Sequence, residues 1–233
     1  MARITFLGTK GEIAESPTRH KYHSSLLVKL NGFKLLIDYG ELRKHSLQEI
    51  APAALCITHA HPDHYAWLHE DVETDLPVYL TRETLDYGKY RPANPVVVQL
   101  GRRFELGPIT GYAYRVLHSI RCPAVGFKLT LDGKMLVYNP DVVDIVDKDG
   151  VLTGVDYYVG DGSSVRANLV RRKGDALFGH ARITTQMHWC EKHGIPHVYF
   201  THLGKETIQR EPEFEKGYGD AILAWDGMEV EIT

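Results

Sequence analysis

Short apolar runs and alternating apolar and polar positions dominate the first half of the chain. This period-two pattern predicts strands near residues 2–7, 24–30, 33–38, 53–58, 77–80, 96–99, 112–117, 124–131 and 134–139. Asn31-Gly32 separates the second strand from the third, and Asp132-Gly133 separates the last two. Both dipeptides accept the positive φ angles of a two-residue hairpin turn. Helical spacing appears at residues 64–70, 82–87 and, most clearly, 181–192, where Gly194 and Pro196 mark the stop. Many strands with interspersed helices predict a layered α/β fold. Two sheets stacked face to face, with helices outside, would bury the apolar strands and gather the strand-end loops along one edge.

At 233 residues the chain is long enough to bury a large core. No linker, repeat or low-complexity stretch divides it, so residues 1–233 are expected to form one domain. A net charge of -3 argues against a broad polyanion-binding surface, although it leaves room for a local basic groove. Residues Met1 to Leu7 pass directly into a strand, with no long apolar segment after Arg3. A soluble cytoplasmic protein that does not engage membranes is therefore expected. Cys56, Cys122 and Cys190 are odd in number and widely separated, which points to buried thiols rather than a disulfide framework or a paired-cysteine metal site.

The densest chemistry lies in Thr58-His59-Ala60-His61-Pro62-Asp63-His64, directly after the apolar stretch Ala53 to Ile57. Imidazoles and a carboxylate at this density suit Zn²⁺ or a neighbouring transition metal, and their crowding in a buried turn calls for a compensating cation. His59 and His61, two apart on extended backbone, would point to one side and hold one metal. Pro62 favours a turn there, projecting Asp63 and His64 elsewhere, toward a second metal.

This motif resembles the His-x-His-x-Asp-His signature of the metallo-β-lactamase superfamily, whose members carry a later His, an Asp and a last His at strand ends. The matching positions are His118 after Tyr114 to Leu117, Asp141 after Met135 to Pro140, and His202 after Val198 to Thr201. The resemblance implies an αββα sandwich in the α/β class. It implies two divalent cations, one held by His59, His61 and His118 and the other by Asp63, His64 and His202, with Asp141 bridging both. Two such cations, about 3.5–4 Å apart, deprotonate a bridging water near neutral pH, so hydrolysis is the expected reaction. Asp63 would orient that nucleophile or take its proton. The ligand set suits Zn²⁺ or Mn²⁺, and also Fe²⁺.

Within the superfamily, His180 resembles the histidine that serves the phosphate or the leaving group in the tRNase Z and phosphoribosyl cyclic phosphodiesterase branches. Phe6 to Gly11, Leu36 to Gly40 and Ala224 to Met228 look like the same branches, with Asp38 supporting the ligands from behind. The interval from Asp141 to His180 lacks the glycine- and proline-rich arm with which tRNase Z enzymes grip tRNA. Small phosphodiesters such as cyclic or short nucleotides and sugar cyclic phosphates are therefore favoured as substrates over longer nucleic acid. A hydrolase of esters, thioesters or lactones is the alternative, and it predicts an open apolar pocket. A nuclease and a non-catalytic metal-stabilised module come after it. Arg166, Arg171, Arg172 and Lys173 form the one dense basic run, read either as a solvated face or as a contact for substrate. Family resemblance also suggests a homodimer.

Overall fold

The computed structural model describes residues Met1–Thr233. Its strands are β1 (Ala2–Gly8), β2 (Ser25–Leu30), β3 (Phe33–Ile37), β4 (Ala54–Cys56), β5 (Pro77–Leu80) and β6 (Asn94–Val97). There follow β7 (Arg103–Leu106), β8 (Ile109–Leu117), β9 (Ala124–Leu131), β10 (Lys134–Tyr138), β11 (Asp144–Ile145) and β12 (Tyr157–Asp161). The chain ends with β13 (Arg171–Lys173), β14 (Ala176–Phe178), β15 (His197–Thr201), β16 (Ala221–Leu223) and β17 (Glu229–Ile232). The α-helices are α1 (Leu47–Ile50), α2 (Arg82–Tyr87), α3 (Lys148–Leu152), α4 (Ile183–His193), α5 (Lys205–Gln209) and α6 (Glu211–Glu215).

Two mixed sheets carry the fold, ordered β17-β1-β2-β3-β4-β5-β6 and β11-β8-β9-β10-β12-β15-β16, with β7 against β8. Each sheet begins as an antiparallel hairpin and continues with parallel strands. Both hairpins turn as the sequence predicts: Asn31 and Gly32 have φ of 50° and 81°, and Asp132 and Gly133 have 54° and 84°. A third, two-stranded sheet, β13-β14, stands apart from the other two.

Strand periodicity explains the layering. Ile4, Val28, Leu35, Phe127, Leu136 and Tyr157 turn into the core shared by the two sheets. Their neighbours Leu27 and Leu36 face outward into a cluster with Trp67 and Leu85, while Val137 and Tyr158 meet Trp189 and Val151 on the far side. Strands β3, β4, β10 and β12 are thus apolar on both faces, as parallel strands covered on each side must be. The result is the expected αββα sandwich. Cys56, Cys122 and Cys190 are free and buried within it, and no helix is long and apolar enough to cross a membrane.

The predicted long helix is α4, which closes on Gly194 at φ 64°. The predicted helix at 64–70 shrinks to one tight turn, Ala66–Leu68, because the amides around it bond outside a helical ladder: Ala66 N–H donates to the Tyr39 carbonyl at 2.8 Å. That tie pins the metal-motif loop to the end of β3.

Candidate metal centre

Strand ends supply the site. His59 follows β4, His118 follows β8, Asp141 follows β10 and His202 follows β15, so parallel strands deliver their chemistry to one edge. Around Pro62 the chain turns, with His64 and Tyr65 N–H both donating to the His61 carbonyl. Asp63 and His64 therefore face a different way from His59 and His61.

The seven predicted residues converge. The ligating atoms of His59, His61 and His118 lie within 4.8 Å of one another, as do those of Asp63, His64 and His202. Between the two groups stands Asp141, with Oδ2 at 2.8 Å from His64 Nε2 and 3.4 Å from His202 Nε2, and Oδ1 at 3.5 Å from His118 Nε2. One carboxylate thus offers an oxygen to each group. His59 Nε2, His64 Nε2 and Asp141 Oδ2 are buried with no hydrogen-bond partner, although the last two atoms are only 2.8 Å apart. Buried polar atoms normally have partners, and donor atoms crowded together without one fit a shared cation.

Contacts behind the ring fix which nitrogen faces inward. His64 Nδ1 donates to Asp38 Oδ2 at 2.8 Å, and His118 Nδ1 donates to the Gly179 carbonyl at 3.0 Å. The Thr58 hydroxyl gives its hydrogen to Asp38 and so accepts from His59 Nδ1 at 3.0 Å. Ser163 Oγ meets His202 Nδ1 at 3.0 Å. Each of these contacts leaves Nε2 directed at the centre, as carboxylate and carbonyl partners do for metal-ligating histidines. His61 alone turns Nδ1 inward, 3.4 Å from His118 Nε2. Asp38, which the sequence placed behind the ligands, has a φ of 63° and holds His64 directly and His59 through Thr58.

Burial, reinforced by the neighbouring imidazoles, pushes His59 well below the ordinary histidine range and His61 to about 4, so both present neutral lone pairs. For His202 burial acts downward too, but Asp141, Asp161 and Asp63 outweigh it and lift the group to about 10. Burial would raise Asp63, yet His64 and His202 hold it well below the carboxylate range.

His180 lies beside this cluster, its ring 5.0 Å from that of His118 and stacked 5.6 Å from that of His202. Its Nδ1 is 2.8 Å from Asp161 Oδ2 and 3.1 Å from Ser163 Oγ. Burial lowers its pKa, but the Asp161 carboxylate more than compensates, so the net shift is upward. With Nδ1 engaged, Nε2 is left for the pocket that His180 lines.

Asp161 was missed in the sequence. It is fully buried at the end of β12, where it also accepts Val142 N–H at 3.0 Å and Ser163 N–H at 2.9 Å. The signal was available: Tyr157-Tyr158-Val159-Gly160-Asp161 is an apolar run ending in an acid, like the runs before Asp141 and His202. Also missed was Glu12, which lines the same cavity of about 400 Å³. Gly11 beside it permits close approach, since a Cβ there would lie 2.9 Å from the His202 ring. Thr9 plays no part at the pocket: its hydroxyl donates to Asp226 Oδ1 at 2.7 Å and contacts His20, stitching the first loop to the Trp225-Asp226 turn.

A family model described as the beta-lactamase superfamily domain matches residues 19–156. The chain belongs to this superfamily. Its curated relatives include the ribonuclease Z of Methanopyrus kandleri, 30% identical over 147 residues that make up 54% of this chain and 49% of that one. The chain thus spans about half the length of that relative, and the match places it near the ribonuclease Z branch. Among solved structures, a diphosphatase of the PhnP family superposes with a TM-score of 0.75 at 19% identity, covering 100% of this chain and 98% of that one. Zn²⁺-bound PqqB from Methylobacterium extorquens gives 0.73 at 17% identity, covering 99% and 100%. At these identities the likeness establishes the metallo-β-lactamase fold.

Proposed function

We propose that this superfamily member is a metal-dependent hydrolase that cleaves phosphodiesters, residues 1–233 acting as one catalytic unit in the cytoplasm. His59, His61 and His118 would hold one divalent cation and Asp63, His64 and His202 a second, with Asp141 shared between them. This nitrogen and carboxylate donor set suits Zn²⁺ or Mn²⁺, with Fe²⁺ as a further fit. Bound there, the cations would supply positive charge that acidifies a water and offsets the negative charge growing on the phosphate.

The observation that carries the phosphodiester reading is the Asp161-His180 pair at the edge of the cluster. Asp161 holds a proton on His180 Nδ1 and favours the charged imidazole, which leaves Nε2–H to protonate an alkoxide as it departs. Asp63, also at the pocket wall and held ionised, orients the attacking water or takes its proton. The pocket lining points the same way. Ile13, Ala167 and Leu169 are its only apolar residues, so most of the side chains that line the cavity are polar or ionisable.

The test is a substrate panel run on protein loaded with Mn²⁺ or Zn²⁺, with the Asp63→Ala protein as the blank. Turnover of bis(p-nitrophenyl) phosphate well above turnover of p-nitrophenyl esters and lactones supports the proposal. The reverse order removes it.

A further inference from the structure

The basic run singled out in the sequence forms part of a strap from Ser163 to Arg182 that leaves the pocket wall and returns to it. Its middle is the β13-β14 ribbon, where Arg171 pairs with Phe178, Arg172 with Leu177 and Lys173 with Ala176. Both feet of the strap are anchored at the site. At one foot, Glu206 accepts from Ser164 Oγ at 2.7 Å and from the Ala167 amide at 3.1 Å. At the other, Gly179 donates its amide to the His118 carbonyl at 2.7 Å and receives His118 Nδ1–H on its own carbonyl at 3.0 Å. The feet pinch together at Gly179, where φ is 107° and a Cβ would lie 2.1 Å from the Leu169 carbonyl oxygen. The ribbon is therefore a projection with a fixed base.

Its charge contrasts with the rest of the chain. The strap carries Arg166, Arg171, Arg172, Lys173 and Arg182 against Asp175 alone, in a protein of net charge -3. All five cations are exposed, and no carboxylate lies within ion-pair reach of any of them. The nearby cations Lys205 and Arg210 are by contrast occupied, by Glu15 and by Glu206 and Glu213. Three successive cations without a structural partner have no role in holding the ribbon together. Their mutual repulsion is relieved by an anionic ligand, and guanidinium forks match phosphate oxygens.

The position of the ribbon defines the ligand. Arg171 stands opposite Phe178, two residues before His180. Neighbouring strands are about 5 Å apart and two residues of extended chain span about 7 Å. Arg171 therefore starts nearest the metal cluster, with Arg172 and Lys173 progressively farther along the strand, and strand alternation puts Arg171 and Lys173 on one face and Arg172 on the other. Leu169 and Ala167, at the base, already line the pocket.

We propose that the ribbon binds the phosphates that flank the one being cleaved, so that the substrate is a short oligonucleotide rather than an isolated diester. This rests on the phosphodiesterase reading of the metal centre. It names what that centre acts on: a strand with one phosphate at the cations and two or three more along the ribbon, met by Arg171 and Lys173 on one face and by Arg172 from the other.

The experiment compares the metal-loaded wild type with the Arg171→Gln/Arg172→Gln/Lys173→Gln protein on three substrates. These are bis(p-nitrophenyl) phosphate, a dinucleoside monophosphate and an oligoribonucleotide of about twelve nucleotides. The first two have no flanking phosphate and serve as references. Wild-type kcat/KM should be at least about tenfold higher on the oligonucleotide than on the dinucleotide. It should fall roughly 7- to 18-fold between about 50 and 200 mM salt, the dependence of two to three contacts on a single strand. The triple variant should lose that advantage and most of the salt slope, with its reference activities within about twofold of wild type. Equal oligonucleotide cleavage and equal salt slopes in the two proteins would overturn the ribbon's role while leaving the phosphodiesterase reading intact. Absence of turnover on all three substrates, in both proteins, would overturn that reading and this inference with it.

Discussion

Replacing His180 by Ala separates proton donation from everything else the site does. The ring is about a quarter exposed, so its removal should leave the fold in place. Asp161 keeps its bonds to Val142 and Ser163, and the cluster keeps all seven candidate ligands. General-acid catalysis contributes on the order of 10²–10⁴ in rate, about 3–5 kcal/mol of barrier. A dinucleoside monophosphate, whose leaving alkoxide needs a proton, should lose that much in kcat. Bis(p-nitrophenyl) phosphate releases a stable phenolate and should lose less than about tenfold. The pH profile supplies a second readout. Asp161 on Nδ1 favours the charged ring, and that acid form disappears as pH rises through the His180 pKa. Wild-type kcat on the alkyl substrate should therefore fall on the alkaline side, and the variant should lack that limb. An equal loss on both substrates with an unchanged pH profile would refute proton donation and make His180 a residue that only positions the phosphate.

Other perturbations follow from the same geometry. Asp38→Asn takes the negative charge from behind His64 and Thr58, and it should weaken metal binding about 10- to 100-fold in competition with a chelator. Gly40→Ala would put a Cβ 2.2 Å from the Asp63 carbonyl oxygen. A clash with backbone should cost at least about 1–3 kcal/mol, read as a drop of several degrees in Tm; an unchanged Tm would show that the motif loop shifts freely. In metal-free protein, His202 sits at about 10 against 6.5 in the unfolded chain. A raised histidine contributes stability that is complete below the unfolded value and is lost as pH climbs through the folded one. The Tm of chelator-treated protein should therefore decline from about pH 6.5 to 10, and a rise across that window would contradict the charge balance assigned to Asp63, Asp141 and His202.

Local chemistry was legible in the sequence wherever one short segment carried all the information. Asn31-Gly32 and Asp132-Gly133 specify their hairpins because few other residues accept the required φ. His59, His61, Asp63 and His64 read as candidate metal ligands because of their crowding, and the structure gathers them with His118, Asp141 and His202, which the family pattern had ordered. Features that depend on distant partners were not legible. β17 is a strand because β1 offers it an edge more than two hundred residues away, with Ile4 opposite Val230. Asp161 ends an apolar run that marks it as a strand-end acid, but its pairing with His180 appears only when the fold brings the two to 2.8 Å. The turn at 66–68 is shorter than its helical spacing suggests because Tyr39 captures an amide that a helix would have used. The unpaired charge of the β13-β14 ribbon was equally hidden, since a run of basic residues does not reveal whether acids fold against it.

The proposed phosphodiester hydrolysis requires two cations held by these seven residues. Metal-free protein can be titrated with Mn²⁺ or Zn²⁺ while bound metal per chain and bis(p-nitrophenyl) phosphate hydrolysis are measured in the same samples. Saturation at two cations per chain is expected, with full turnover appearing only as the second binds. Saturation at a single cation, or full loading with two and no turnover, would contradict the proposal.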